Sequence, residues 1–352
     1  MVNDKNLHER NIVNSGRFTP AKNSIKDIVK EFNFWCGKVY PGIKKTKKLA
    51  LAFDVFKEYC VSGAWVNNYF YYEFYNKDRT ERNKYLTWRK AIRLIIETNG
   101  RKASSMFIEK NTFNITFSNY IKRDWLFMKD ATEDEFIEFC SKHETFIQKP
   151  QDERNGNGVI KVSINSTGGG IYQSFAGKPI IIEECIVNCD VLRELHPASL
   201  NTVRVLTLRT PDQSNVVVLG AVLKIGTGGS VLDNGSAGGI VATIDLDTGI
   251  VSRRATGLKG EKFEFHPDTN RRIVGVQIPA WQEVIELCKQ IAMESDSSAL
   301  IGWDVAVSKG NDTNNYVIQI VEGNENPGFE LHQIPSGEGL AEKVREAGYR
   351  IK

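Results

Sequence analysis

The apolar residues change period at His143, and that change limits the folds open to this chain more than any other feature. Before it, from 43 to 99, they recur at helical spacing. Leu49, Phe53, Phe56 and Cys60 share one helical face, and Tyr69, Tyr72, Phe74 and Tyr75 follow in an aromatic-rich stretch that reads as core. Asn99-Gly100 stops the last of these helices. Thr132, with Glu135 three residues on, makes a capping box for a helix over 132–143. After His143 come short β-type runs separated by Gly, Asn and Asp, at 146–149, 159–164, 180–184, 203–209, 216–224, 240–244, 301–307 and 316–322. One helix, 280–293, interrupts them, and no repeat period appears. The order is a mainly helical front (1–104), a small β-rich module (146–186), and a mixed body made from 105–145 and 187–352. The class is α+β.

A chain of 352 residues exceeds one ordinary core, and its 41% hydrophobic and 25% charged residues are those of a globular protein. A net charge of +3 argues against nucleic acid as a partner. The lysine cluster Lys44, Lys45, Lys47 and Lys48 reads as the solvated start of a helix. Residues 1–33 are mixed and polar, part of them expected to lack order. No apolar run approaches the roughly 18 residues of a membrane span, and 1–17 lack the apolar stretch of a signal peptide. Cys185 and Cys189 have no matching second pair for zinc, so all six cysteines read as reduced thiols. A cytoplasmic enzyme is expected.

Several nucleotide and hydrolase signatures are absent: the P-loop, an opening G-x-G-x-x-G, the kinase catalytic loop, the G-x-S-x-G elbow and H-E-x-x-H. Three positive signals remain. In the expected hairpin of 301–307 and 316–322, alternation puts Asp304 and Glu322 on one side, with Asn324 two residues further and Asn326-Pro327-Gly328 forcing a turn. Two carboxylates and an amide oxygen suit a hard cation such as Mg²⁺ carrying nucleotide phosphates; polar residues at a strand end would read the same way. Second, Lys149 ends a strand above the loop Asp152-Glu153-Arg154-Asn155-Gly156-Asn157-Gly158, whose glycines let backbone N–H groups approach phosphate oxygens. Third, the apolar strand Ile180-Ile181-Ile182 runs into Glu183, Glu184, Cys185 and Ile186, where an exposed backbone can meet an adenine edge.

Taken in this order, over about residues 105–335, these segments resemble the ATP-grasp superfamily, which includes D-alanine–D-alanine ligase and other carboxylate–amine ligases. Glu322-Gly323-Asn324-Glu325-Asn326-Pro327-Gly328 resembles the family's E-x-N-x-x-P-G metal motif, with Asp304 as its upstream carboxylate. The resemblance implies Mg²⁺ on Asp304, Glu322 and Asn324. It implies ATP on Lys110 (in Glu109-Lys110-Asn111), on Lys149, and under a flap containing Gly156 and Gly158. Glu183, Glu184, Cys185 and Ile186 would hold adenine, and Asp190 the ribose. Within the superfamily the chain looks closest to the sugar-transfer-associated group found with surface-polysaccharide genes. That likeness rests on the run His196-Pro197-Ala198-Ser199-Leu200-Asn201-Thr202-Val203-Arg204, on Ile301-Gly302-Trp303-Asp304, and on Gly226-Thr227-Gly228-Gly229 followed by Asp233-Asn234. One departure stands out: Gly302 occupies the position where many ligases carry an arginine, so Arg204 and Lys224 become the candidates for offsetting phosphate charge.

The resemblance further implies that a substrate carboxylate attacks the γ-phosphate and that an amine then opens the acyl phosphate to an amide. Its partners would be small-molecule carboxylates and amines, a sugar acid or nucleotide sugar among them, in polysaccharide (capsule) biosynthesis; a homodimer fits as well. Asn201, His332 and Gln333 are substrate candidates, though single histidines beside Pro or Gln also fit structural roles. An ATP-grasp kinase or phosphotransferase, or a non-catalytic nucleotide-binding protein, is the alternative.

Overall fold

Helix caps and glycine stops written into the sequence recur in the computed structural model, which describes residues 25–102, 104–153, 156–164, 171–230, 233, 238–257, 260–310 and 315–351. Among the described residues five α-helices form the front: α1 (Ile25–Val39), α2 (Lys45–Ser62), α3 (Val66–Tyr71), α4 (Arg79–Asn83) and α5 (Trp88–Asn99). The first begins inside the segment expected to lack order. Gly63, at φ 72°, ends α2 and donates its N–H to Tyr59 O, a left-handed cap that costs glycine least. The aromatic stretch is core: Tyr69, Tyr72 and Phe74 are buried with Trp35, Phe70 and Tyr85. The face of Leu49, Phe53 and Phe56 is exposed instead.

Two short helices, α6 (Ser105–Ile108) and α7 (Lys110–Thr116), lead into a four-stranded antiparallel sheet. Its strands are β1 (Trp125–Phe127), β2 (Thr145–Pro150), β3 (Ile160–Ser163) and β4 (Ile180–Glu184), in the order β1-β4-β2-β3. Helix α8 (Glu133–Lys142) packs on it through Phe136 and Phe139, and its start is the expected capping box, Thr132 N–H to Glu135 Oε2 at 2.7 Å. This small sheet therefore takes Trp125–Phe127 from the segment that the sequence assigns to the body. A three-residue strand is too short to show a period.

After α9 (Asp190–Arg193) comes a seven-stranded antiparallel sheet: β5 (Thr202–Arg209), β6 (Val216–Ile225), β7 (Ile240–Ile244), β8 (Ala255–Thr256), β9 (Lys262–Phe263), β10 (Leu300–Lys309) and β11 (Tyr316–Asn324). The spatial order is β11-β10-β5-β6-β7-β8-β9. Helix α10 (Trp281–Glu294) lies against one face, while α11 (Glu330–Ser336) and α12 (Ala341–Glu346) close the chain. All eight residues of β5 are buried, so alternation there separates two packed faces rather than core from solvent. Val203, Val205, Ala221, Leu223, Ile301 and Trp303 share the core with α10. The opposite face carries Leu206, Leu208 and Leu300 toward α5 and α12. The same parity puts Thr202, Arg204, Lys224 and Asp304 on that second face, at its other end. Four polar side chains thus meet where the sheet approaches the small one.

Candidate active site

Strand register builds the centre of the site. Asp304 of β10 pairs directly with Glu322 of β11 on one side and with Arg204 of β5 on the other, and Gly302 pairs with Asn324. A bulge follows Asp304 on the β11 side. Asp304 is buried and bidentate with Arg204, Nε to Oδ1 at 2.5 Å and Nη2 to Oδ2 at 2.7 Å. Lys224 Nζ lies 3.2 Å from Asp304 Oδ2 and 3.1 Å from Asp233 Oδ1, and Asp233 in turn accepts from Thr202 N–H at 3.0 Å. The result is a buried row of alternating charge, Asp233, Lys224, Asp304, Arg204. Burial opposes the charge on Asp304, yet Arg204 and Lys224 hold its carboxyl well below the usual range. The same acids raise Lys224 against burial.

Gly302 explains how Arg204 reaches this place. A Cβ there would stand 2.9 Å from Pro327 Cβ and 3.1 Å from Arg204 Cδ. The guanidinium of Arg204 fills the space that a side chain at 302 would take.

A second ion cluster sits on the small sheet. Glu183 of β4 is buried, accepts from Lys149 Nζ at 2.5 Å and from Arg123 Nη2 at 3.0 Å, and has Arg123 Nε 3.0 Å away without donor alignment. Desolvation would push this carboxyl up, but the two cations keep it strongly depressed. Arg123 also donates to Ile320 O at 2.8 Å and Val321 O at 3.2 Å, so one guanidinium fastens β4 to β11.

Between the clusters lies a cavity of about 230 Å³. Both sheets line it, Lys149 and the 183–186 segment from the small one and Lys224, Asp304 and Glu322 from the large one, with Lys110 added from α7. Lys110 is brought in by α6 and α7, which rest on β11 because Gly323 has no side chain; a Cβ there would stand 2.7 Å from the Phe107 ring. Burial lowers the Lys110 ammonium from its ordinary value, the nearby Glu322 acting in the opposite sense. Its Nζ donates to Glu153 O at 2.5 Å, which ties the start of α7 to the loop after β2.

The family model described as sugar-transfer associated ATP-grasp matches residues 160–348, more than half of the chain. This chain belongs to the sugar-transfer associated ATP-grasp family. No curated protein matches it. Among solved structures it is similar to the ATP-grasp ligase PsnB complexed with a phosphomimetic variant of minimal precursor, Mg and ADP (13% identity, 68% of this chain and 57% of that one, TM-score 0.40). It is also similar to the ADP complex of PurK, N5-carboxyaminoimidazole ribonucleotide synthetase (10% identity, 64% and 46%, TM-score 0.39). A third is D-alanyl-alanine synthetase A from Vibrio cholerae O1 biovar eltor (11% identity, 70% and 62%, TM-score 0.39). The chain thus spans between 46% and 62% of the length of these three proteins.

In this ATP-grasp protein the expected ATP-binding residues fall into two groups. Lys110, Lys149, Gly156, Glu183, Glu184, Cys185 and Ile186 all line the cavity. Gly158 does not; at φ 71° it turns the loop, and a Cβ would stand 2.7 Å from Pro150 Cγ. Asp190 also lies off the wall, exposed and paired with Arg193 at 2.8 Å, while Arg193 itself lines the cavity. Glu322 is exposed on the wall and accepts from Asn324 Nδ2 at 2.9 Å. Two carboxylates and an amide beside phosphate-range lysines fit a hard divalent cation, which would share Asp304 with Arg204 and Lys224.

The substrate candidates Asn201, His332 and Gln333 are not on the cavity wall. Asn201 is buried and occupied: Oδ1 accepts from Ser199 Oγ and Gly226 N–H, and Nδ2 donates to Leu192 O and His196 O. Gln333 holds the α4–α5 link in place, accepting from Leu86 and Leu340 N–H and donating to Tyr72 Oη and Leu86 O. His332 is buried beside Gly220 with neither ring nitrogen hydrogen-bonded. His332 and Gln333 follow the metal motif in sequence but do not reach the cavity wall, because α11 turns both side chains into the core. Asn234, Arg154 and Asn155 lie outside the described residues.

Arg123 and Asp233 escaped the reading of candidate site residues. Asp233 stood in the quoted glycine-loop segment, but its contact with Lys224 is set only when β6 closes on it. Arg123 precedes a strand without any motif. His196 takes a structural part, Nδ1 on Ser199 Oγ and Nε2 on Gly228 O, each at 2.8 Å.

Proposed function

We propose that this protein is an ATP- and Mg²⁺-dependent carboxylate–amine ligase that proceeds through an acyl phosphate, with a sugar acid or nucleotide sugar of surface-polysaccharide biosynthesis as its substrate class. The observation that carries this reading is the cross-strand pairing of Asp304 with Glu322 on the wall of a cavity whose other wall offers Lys110, Lys149 and the 183–186 hinge. Bound Mg²⁺ would offset charge on the β- and γ-phosphates. Lys110 and Lys149 would hold the phosphates as point charges, and the loop carrying Gly156 would exclude water from the transferred group. Lys224 lies on the opposite wall, and Arg204 is buried against Asp304. The two would steady the carboxylate that attacks phosphorus and the charge that builds as it does so. No nucleophilic Ser or Cys is needed.

The reaction is tested by supplying ATP, Mg²⁺ and a panel of uronic and amino acids, with hydroxylamine in place of the amine. A hydroxamate should accumulate with one ADP for each turnover. AMP and pyrophosphate would mean adenylation and end the ligase reading. ADP with a stable phosphorylated product would make the protein a kinase. Glu322→Gln, at an exposed position, should leave folding intact and lower the rate by about 100-fold or more if the metal stabilises several kcal/mol of transition-state charge. Wild-type turnover in that variant at saturating Mg²⁺ would remove Glu322 from the metal site.

A further inference from the structure

We propose that α2 docks this protein on an anionic lipid bilayer, lying along the surface with Leu49, Phe53 and Phe56 inserted at the level of the headgroups. These three side chains are 71%, 68% and 63% exposed, and Cys60 is exposed on the same line. Their spacing of four, three and four residues puts them within one narrow stripe of an 18-residue helix. A stripe of one aliphatic and two aromatic side chains turned to solvent is the kind of apolar surface that marks an interaction site.

The helix does not need that stripe for its own fold. Its inner side is held largely by charge: Arg82 Nη2 on Asp54 Oδ2 at 2.7 Å, Arg79 Nη1 on Glu58 Oε2 at 3.0 Å, and Arg82 Nη1 on the same oxygen at 3.3 Å. Val55 is its one buried hydrophobic residue. Both acids of α2 are thus turned to arginines of α4, and the exposed charges beside the stripe are lysines, Lys45 and Lys57, with Lys44 and Lys47 at the N-terminal end.

Charge then selects the occupant. A second copy would bring lysines against lysines around its two-fold axis. Residues 1–24, which lie outside the described residues, carry Lys5, Arg10, Arg17 and Lys22 against Asp4 and Glu9, a net of +2 and again the wrong sign. An anionic partner remains. The apolar stripe projects from one helix, and at its C-terminal end the rings of Tyr59 and Trp65 meet at 5.1 Å, tilted by 55°. Projecting side chains suit a deformable apolar medium, and lysines flanking them can bury their stems and keep their ammonium groups among lipid phosphates.

The full chain is tested by sedimentation with vesicles of phosphatidylcholine alone and of phosphatidylcholine with phosphatidylglycerol. It should partition onto the mixed vesicles, weakly onto phosphatidylcholine, and less as salt is raised. Phe53→Ser with Phe56→Ser should lower partition on the order of tenfold, and Lys45→Glu with Lys57→Glu by a similar factor. All four positions are exposed, so unchanged circular dichroism and thermal midpoint should accompany the loss. Absence of sedimentation, or equal binding to both vesicle types that ignores the lysine variant, overturns the proposal. So does a dimer in light scattering that Phe53→Ser dissociates without any vesicle binding, or binding to an acidic peptide with none to lipid.

Discussion

Asp304 meets cations on both oxygens, and that arrangement depends on a residue with no side chain. Gly302 leaves the room that Arg204 occupies, so the guanidinium beside Asp304 comes from the neighbouring strand. On the same face of the sheet, His332 shows what burial without partners does. Burial first, then the positive charge of Arg204 and Lys343, lowers its imidazole to about 3 from the usual 6.5. Because the folded value is depressed, the unfolded chain binds the proton more readily. The stability linked to a neutral His332 is therefore complete above 6.5 and is lost as pH falls from there toward 3. That loss should run at roughly 1.4 kcal/mol per pH unit in the upper part of this window. Urea unfolding of His332→Leu at a series of pH values should show a flatter dependence below 6.5 than the natural protein. Parallel slopes would mean that the histidine is already protonated in the fold.

At the scale of elements, one side chain joins strands of different sheets. Arg123 spans Glu183 on β4 and the carbonyls of Ile320 and Val321 on β11. Removing it leaves a buried carboxylate with Lys149 as its remaining cation. Arg123→Met should cost about 3–5 kcal/mol in urea unfolding, the range for breaking a buried pair from one side. Replacing Glu183 as well, in Arg123→Met with Glu183→Met, should recover part of the loss, since no uncompensated charge then remains. A double variant whose loss equals the sum of those of Arg123→Met and Glu183→Met measured singly would show that the pair does not couple. The β10–β11 pairing adds a second element-scale point. Alternation alone puts Asp304 and Glu322 on one face, while the bulge after Asp304 sets which residues beyond it are opposed.

For the whole molecule, the cavity between the two sheets makes nucleotide binding and stability one question. A ligand that touches both walls stabilises only the folded chain, by about 2.7 kcal/mol at a hundred times its Kd. ATP with Mg²⁺ should therefore raise the thermal midpoint by several degrees, and Lys149→Ala should remove most of that rise while changing the ligand-free midpoint less. An equal rise in both proteins would take Lys149 out of the nucleotide site. Much of this architecture was legible from the residues. The strand runs at 180–184 and 240–244, the capping box at Thr132, the aromatic core and the shared side of Asp304 and Glu322 all follow from local period, propensity and hydrogen-bonding chemistry, which act over a few neighbouring residues. Strands of two or three residues, at 125–127, 255–256 and 262–263, carry no period and so gave no signal. Nor could spacing tell that Leu49, Phe53 and Phe56 face water while Tyr69 and Phe74 do not, because a helical stripe reads the same whether or not something covers it. Asn201 and Gln333 stand beside functional motifs in the chain but spend their hydrogen bonds inside the core. Arg123 comes to the site from a segment without a motif, and Asp233 meets Lys224 only when β6 closes on its loop. Local order belongs to the sequence; burial and the choice of ionic partner were decided by tertiary packing, since both depend on residues tens to hundreds of positions apart.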